Sequence, residues 1–204
     1  MSATSAPFGL RPAFHPSGLD RATAFANPFD YSTGYASNIF KGQAVTLNPG
    51  TGYIIKTTSS LPIYGVFDGF EWTDTTGRRR VSNYYPANTA FQQGSAVAYI
   101  WNDPQVVYEI QATGSIAQTA IGAEFDISNN DNGSATTGLS QCTMDTTAAS
   151  ANTSKQLRVI DVAPYPGNAW GDAYTIVRVQ VAEFQYAGTY DTGATAVVYP
   201  VTIA

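Results

Sequence analysis

This chain of 204 residues has few charged side chains, and that shortage sets the first limits on its function. Asp, Glu, Lys and Arg make up 12% of the residues, against about 25% in a typical soluble domain. The formal net charge of -5 argues against a general nucleic-acid binder, which would be basic. Lysine, the residue most depleted at protein interfaces, occurs only at Lys41, Lys56 and Lys155, whereas Tyr and Trp, which interfaces favour, are common. Two interpretations stay open: a neutral β-protein surface, or a surface largely covered by neighbouring molecules.

Cysteine and histidine each occur once, as Cys142 and His15. A single cysteine excludes an intramolecular disulfide and a multi-cysteine zinc site, and a single histidine excludes every site that needs two. A serine or cysteine triad needs a histidine as its base. His15 lies between Phe14 and Pro16 in an irregular stretch, where a base would not be held rigidly. We therefore expect His15 to be a contact residue and not a catalyst.

The chain also lacks the patterns of three common kinds of segment or site. No apolar run approaches the roughly 18 residues of a membrane span, and no basic region precedes an apolar stretch at the N-terminus, so we expect neither a membrane helix nor a signal peptide. The stretch 65-GVFDG-69 does not fit a phosphate-binding loop. The stretch 126-DISNNDNG-133 lacks the acidic order and the closing glutamate of a calcium loop, so we predict a polar turn there. We expect no cofactor and no metal.

Short segments rich in β-branched and aromatic residues, separated by turn residues, predict an all-β fold. The architecture is a single β-barrel or β-sandwich with at most one short helix, for which 114–124 is the candidate. The stretch 128–154 is dominated by small polar residues and predicts a long loop or insertion with at most one strand, at 139–144. Strands are predicted at 41–48, 53–58, 61–73, 78–85, 95–101, 106–112, 156–163 and 174–186.

The chain divides into an extended N-terminal arm and lead-in at 1–35, a β-domain at 36–186 and a C-terminal tail or added strand at 187–204. The arm contains 6-APFGLRPAFHPSG-18, whose prolines favour an extended backbone and exclude a long helix. An extended segment loses less entropy on docking, so its apolar side chains could fill pockets on a partner. The alternative is that the arm folds back over its own domain.

Paired carboxylates and three tryptophans keep two further functions open. A glycosidase needs two carboxylates about 5–10 Å apart across a sugar cleft, with one pKa raised. Exposed aromatic rings could form a sugar platform, although such rings more often belong to a core or an interface. The carboxylate pairs are Asp68 with Glu71 and Asp103 with Glu109, and the tryptophans are Trp72, Trp101 and Trp170.

The one basic cluster of the chain is 78-RRR-80. In a strand, Arg78 and Arg80 share one face and Arg79 lies on the other. The cluster either contacts an acidic partner surface or forms a solvated edge that discourages sheet-to-sheet aggregation, and the solvated edge is the favoured interpretation.

Several segments, in order along the chain, resemble the capsid decoration, or cement, proteins of tailed bacteriophages. The resemblance runs from about residue 6 to 186, includes no catalytic motif and leaves the tail 187–204 uncovered. The segments are 6-APFGLRPAFHPSGLDR-21, 40-FKGQAVTLN-48, 65-GVFDGFEW-72, 81-VSNYYPA-87, 114-GSIAQTA-120 and 168-NAWGDAY-174.

The resemblance implies a non-enzymatic virion protein, made in the host cytoplasm, that binds the outer surface of an assembled capsid and stabilises it. Its expected partners are the major capsid protein and sister copies, with a trimer favoured, and neither nucleic acid nor membrane. The alternative is a carbohydrate- or receptor-binding module with an exposed Trp and Tyr platform. The predicted partner contacts are Phe8, Leu10, Arg11, Phe14, His15, Arg78, Arg79, Arg80 and Trp170.

Overall fold

The structure is a computed structural model that describes residues 2–18, 23–26, 28–30, 32–149 and 154–186. Within these residues the fold is all-β, as predicted, and its antiparallel sheets form an open β-sandwich and not a closed barrel. The described ranges contain no helix of the length and apolarity that a bilayer crossing requires. The predicted tail at 187–204 lies outside the described residues.

Fourteen strands are present in the described part of the chain. They are β1 (Arg11–Phe14), β2 (Thr23–Ala26), β3 (Ala44–Leu47), β4 (Ile54–Lys56), β5 (Gly65–Thr73), β6 (Arg79–Ser82), β7 (Val97–Trp101), β8 (Val107–Gln111), β9 (Glu124–Ser128), β10 (Gly133–Ser134), β11 (Leu139–Ser140), β12 (Thr143–Ala148), β13 (Leu157–Val162) and β14 (Ile176–Val181).

Two larger sheets and one small hairpin account for these strands. Sheet 1 has the order β1-β8-β14-β13-β9-β12, so the N-terminal strand β1 forms one of its edges. Sheet 2 has the order β2-β7-β5-β3-β4, and β6 pairs with the far half of β5. The hairpin consists of β10 and β11.

Sheet 2 is buried on both faces over part of its length, which explains why its strands contain continuous apolar runs. Strand β5 shows this, because Val66 belongs to the core between the two sheets and the next residue, Phe67, belongs to a second core on the opposite face. Side chains of successive strand residues point to opposite faces, so both cores are filled from one strand. The second core also contains Phe29, Ile39 and Tyr85, which come from segments outside the strands.

Two local predictions were wrong. The helix candidate 114–124 contains only a three-residue 3-10 helix, Gln118–Ala120, with no buried residues. A longer helix would need an apolar stripe to bury, and here Ile121 is 48% exposed and Gly122 has φ of +84°. The strand predicted at 139–144 is present as β11 and the start of β12, but the rest of the predicted loop 128–154 also contains β10 and the continuation of β12 to Ala148. Cys142 and Met144 are fully buried on one side of β12 and its approach.

Candidate binding surface

The N-terminal segment, residues 2–18, packs against its own domain, so the expected extended arm is not confirmed. Ser2 Oγ donates a hydrogen bond to the Gly167 carbonyl at 2.7 Å, and the Ala6 N–H donates to Gln111 Oε1 at 2.8 Å. Further along, β1 pairs antiparallel with β8. Pro12 lacks an N–H donor, and an edge strand tolerates this because one side of its backbone has no strand partner.

Leu10 fixes this segment to the core. It is 1% exposed, and its backbone N–H donates to the Gly42 carbonyl at 2.8 Å. The close approach of the N-terminal segment to Gly42 requires a glycine at position 9. There φ is +76°, and a Cβ would lie 2.6 Å from the Gly42 oxygen and 2.8 Å from Ser140 Cβ. Leu10 was predicted as a partner contact, but in this structure it is a core residue and offers no surface to a partner.

A cluster of charges holds β1 to the rest of sheet 1. Glu109 on β8 is 5% exposed, and its carboxylate lies 2.8 Å from Arg11 Nη2 and 3.5 Å from Arg178 Nε. The Tyr165 hydroxyl donates to the same carboxylate. Burial alone would raise the pKa of Glu109, but the hydrogen bonds from Tyr165 and Arg11 and the charges of both arginines outweigh it, so its pKa is below the usual range.

His15 meets Ser17 and Asp103, the three residue types of a serine hydrolase triad. Its Nδ1 accepts from the Ser17 backbone N–H at 3.0 Å and contacts Ser17 Oγ at 2.6 Å, and its Nε2 lies 3.1 Å from Asp103 Oδ2. The lone pair of Nδ1 is therefore shared with a backbone donor, and the Gly18 N–H closes a turn onto the His15 carbonyl at 2.8 Å. This geometry fixes a turn against Asp103.

A recess of about 170 Å³ lies where the N-terminal segment passes over sheet 2. Most of its wall is apolar, and its mouth carries the charged side chains of Arg11, Lys41 and Asp68. The N-terminal segment contributes Phe8, Leu10 and Pro12, sheet 2 contributes Val66, Phe67 and Trp101, and the mouth is formed by Arg11, Lys41, Asp68 and Leu139.

The mouth of the recess presents nitrogen donors more openly than carboxylates. Lys41 Nζ lies 2.6 Å from Asp68 Oδ1, and their side chains are 45% and 27% exposed. Arg11 is 51% exposed as a side chain, against 7% for its partner Glu109. The guanidinium carbon of Arg11 also lies 4.7 Å from the centre of the Phe8 ring, a cation–π contact that positions Phe8 at the recess.

Beyond the recess, one face of sheet 2 continues as a surface that we call the open face, formed by Asp68, Glu71, Arg79, Val81 and Tyr99. Tyr99 is two residues from Trp101 on β7, so both rings lie on the same side of the strand. The Tyr99 hydroxyl donates to Glu71 Oε2 at 3.2 Å, and Val81 is the cross-strand partner of Glu71. Val81 is 70% exposed, the largest value among the exposed large apolar side chains of the described residues.

The predicted basic cluster lies at one end of the open face, on the β5–β6 hairpin. Arg79 Nε lies 2.6 Å from Glu71 Oε1 and Arg80 Nε lies 3.0 Å from Asp74 Oδ2, while Arg78, in the turn before β6, is exposed. All three are on the surface.

In the first hydrolase pair, Glu71 lacks the raised pKa of a general acid. The hydrogen bond from Arg79 lowers the pKa of Glu71, whereas a general acid requires a raised pKa. The Asp68 carboxylate forms an ion pair with Lys41 Nζ.

The three tryptophans do not share one exposed surface. Trp72 stacks on Phe70 at 4.8 Å between ring centres, on the face of sheet 2 opposite to Trp101. Trp101 and Trp170 both pack, partly buried, against the core between the sheets. Trp170, predicted as a partner contact, lies in the loop 164–173, which is anchored by a hydrogen bond from the Gly171 N–H to the Ile116 carbonyl at 2.8 Å.

The residues of the calcium-like stretch make structural contacts instead. Asn130 is 8% exposed, and its side chain bonds the backbone of Ala44 and the carbonyl of Thr57. Asp126 pairs with Lys155 and Asp131 with Lys56. Across the described ranges, no three His, Cys, Asp or Glu side chains are grouped closely enough to hold a metal ion.

Comparisons of this chain with protein-family models, with curated proteins and with solved structures gave no match.

Sequence reasoning missed four residues of the recess mouth and the open face. Lys41 and Leu139 are far apart in the sequence, and nothing in the pattern brings them together. Val81 and Tyr99 could have been found, because both lie in predicted strands, where alternate residues point to the same face. One face of an edge strand or of an uncovered sheet is exposed.

Proposed function

We propose that this chain is a non-enzymatic structural protein that binds the outer surface of an assembled phage capsid and stabilises it. The observation that carries the proposal is the recess beside the N-terminal segment together with the open face that continues from it. The two form one surface with exposed apolar side chains at Leu139 and Val81 and mixed charges around them. Such a surface has the composition of a protein-binding site.

In this proposal the N-terminal segment takes part as a wall of the recess and not as a free tether. A free tether would present Phe8, Leu10 and Phe14 separately, but the docked segment forms one wall of a shaped recess. A site built on ordered strands costs less conformational entropy on binding than a free tether does. Arg11 and Phe8 stay at the surface, so they remain partner contacts in this proposal.

Capsid stabilisation follows from binding to the assembled shell. A ligand that binds only the assembled state shifts the equilibrium toward assembly, and many copies on one lattice gain avidity. In this proposal the partner is the major capsid protein, and sister copies meet around three-fold positions.

Val81→Asp tests the proposal, with Ile121→Asp as the matched control, since both replace an exposed β-branched side chain with a charge. Each variant is mixed with capsids of the source particle that have been stripped of this protein, and the bound fraction is measured by co-sedimentation. We expect Ile121→Asp to bind like the wild type and Val81→Asp to lose about tenfold or more in affinity, since a charge would be buried at the interface. Absence of wild-type binding, or an equal loss in both variants, would contradict the proposal.

A further inference from the structure

The size of the recess limits what can enter it. Apolar cavities of about 150 Å³ bind a benzene-sized group. A recess of about 170 Å³ therefore accepts one aromatic or branched aliphatic side chain and not a longer apolar segment. Phe8, Pro12 and Trp101 line the recess and are partly exposed, so they offer such a group apolar contacts.

The mouth selects what surrounds that side chain. The exposed groups there are the Arg11 guanidinium and the Lys41 ammonium, and their carboxylate partners Glu109 and Asp68 are more deeply buried. An incoming group therefore meets hydrogen-bond donors and positive charge. Backbone carbonyls and acidic side chains complement such a mouth.

Leu139 favours a peptide segment over a free small molecule. Its side chain lines the recess and is 42% exposed at the mouth. An extended segment can place one side chain in the recess and cover Leu139 with its neighbouring residues, and the open face continues in the same sheet.

Another copy of this chain does not supply a matching segment from its described residues. The exposed large apolar side chains there have no Asp or Glu next to them in the sequence, so none combines an apolar anchor with adjacent negative charge. These side chains are Phe14, Leu61, Val81, Ile121, Leu139 and Tyr186.

From these observations we infer that the recess binds a single aromatic or branched aliphatic side chain of an extended segment, flanked by acidic residues, from a different protein. This inference rests on the proposed function, in which that protein is the major capsid protein.

Short peptides test the inference without a capsid. The probes are the N-acetylated, C-amidated tripeptides Asp-Phe-Asp, Lys-Phe-Lys and Asp-Ala-Asp, titrated into the ¹⁵N-labelled full chain at low salt. Trp101 forms part of the wall, so its indole N–H resonance, assigned with Trp101→Phe, reports occupancy of the recess.

Asp-Phe-Asp should shift this resonance saturably, with a dissociation constant on the order of 1 mM for one anchoring side chain. The other two peptides should bind about tenfold more weakly, one for lack of charge complementarity and the other for lack of an anchor. Equal binding of Lys-Phe-Lys would overturn the acidic specificity, equal binding of Asp-Ala-Asp would overturn the apolar anchor, and no saturable shift would overturn both.

Two matched variants locate the binding. Leu139→Ala should lower the affinity for Asp-Phe-Asp several-fold. Leu61→Ala also truncates a partly exposed leucine, but it lies outside the recess and should leave the affinity unchanged. An equal effect of the two variants would place the peptide elsewhere and overturn the inference.

The same variants separate this inference from the proposed function. If the wild type binds Asp-Phe-Asp but not capsids, the capsid function fails and the recess specificity stands. If the wild type binds capsids and Leu139→Ala binds them equally well, the recess is not the contact and the inference fails while the function stands.

Discussion

The edge strands β1 and β6 are similar in length and each pairs with one neighbour, yet they are held in different ways. Strand β1 follows the buried Leu10 and packs its Arg11 against the buried Glu109. Strand β6 has three exposed residues out of four, including Val81 at 70% exposure. One edge is anchored to the core by the residue that precedes it, and the other has mostly exposed side chains.

Strand β6 keeps its place through its turn. Asp74 Oδ1 accepts backbone hydrogen bonds from Thr76 at 2.9 Å and Arg78 at 3.0 Å, and Gly77 has φ of +85°. The side-chain hydrogen bond from Thr76 and the backbone hydrogen bond from Arg78 hold the pKa of Asp74 far below its usual value. A hairpin fixed locally in this way needs no buried side chain of its own.

The largest expected difference between the two edges concerns stability. Leu10→Ala removes a fully buried side chain beside β1, so we expect the free energy of unfolding to fall by about 2–5 kcal/mol. Urea unfolding followed by tryptophan fluorescence measures it. A loss below about 1 kcal/mol would mean that the N-terminal segment is not part of the cooperative core.

An intermediate effect is expected where β1 meets the rest of sheet 1. Glu109→Gln removes the charge between Arg11 and Arg178, and because Arg11 is half exposed we expect a loss of about 2 kcal/mol at pH 7, less than for a fully buried pair. The pKa of Glu109 is lowered in the folded state, so its contribution is present above the usual glutamate pKa of 4.5 and is lost as the pH falls through the folded-state value.

Urea unfolding of the wild type and Glu109→Gln at pH 7 and pH 3 checks this dependence. The difference between the two proteins should narrow at pH 3. A difference of constant size at both pH values would show that the carboxylate charge does not hold β1.

The smallest stability effect is expected at β6. Val81→Ala shortens an exposed side chain, so the free energy of unfolding should change by no more than about 0.5 kcal/mol. The same urea series measures it, and a loss as large as that of Leu10→Ala would remove the distinction between the two edges.

Much of the fold could be predicted from the sequence, because strands with β-branched residues and turn chemistry at their ends follow local rules. The turn at 74–77 and the strand around Val179 are examples. The errors occurred where local composition and tertiary contacts disagreed. Small polar residues predicted a loop beyond the strand at 139–144, but pairing with β9 extends β12 to Ala148.

The N-terminal segment shows the same limit for the candidate site. Its prolines correctly excluded a helix, and folding back onto the domain was one of two alternatives. The choice between them depends on Glu109, Gln111 and Gly42, which sequence spacing does not connect to residues 6–11. The recess forms only when the segment folds back onto the domain. The sequence therefore predicted Phe8 and Arg11 as contacts but not the recess that they share with Lys41 and Leu139.

The docking of the N-terminal segment also has a consequence for the order of synthesis and folding. Arg11 binds a residue 98 positions later in the chain, and Ser2 binds Gly167, 165 positions later. Ser2 and Arg11 must therefore wait until these later residues have been made before their contacts exist. Closing such long loops is slow, and until then the edge of β8 has no neighbour on that side. Newly made copies thus pass through a stage in which Leu10 and that edge are both uncovered, and this is when the protein is most open to aggregation.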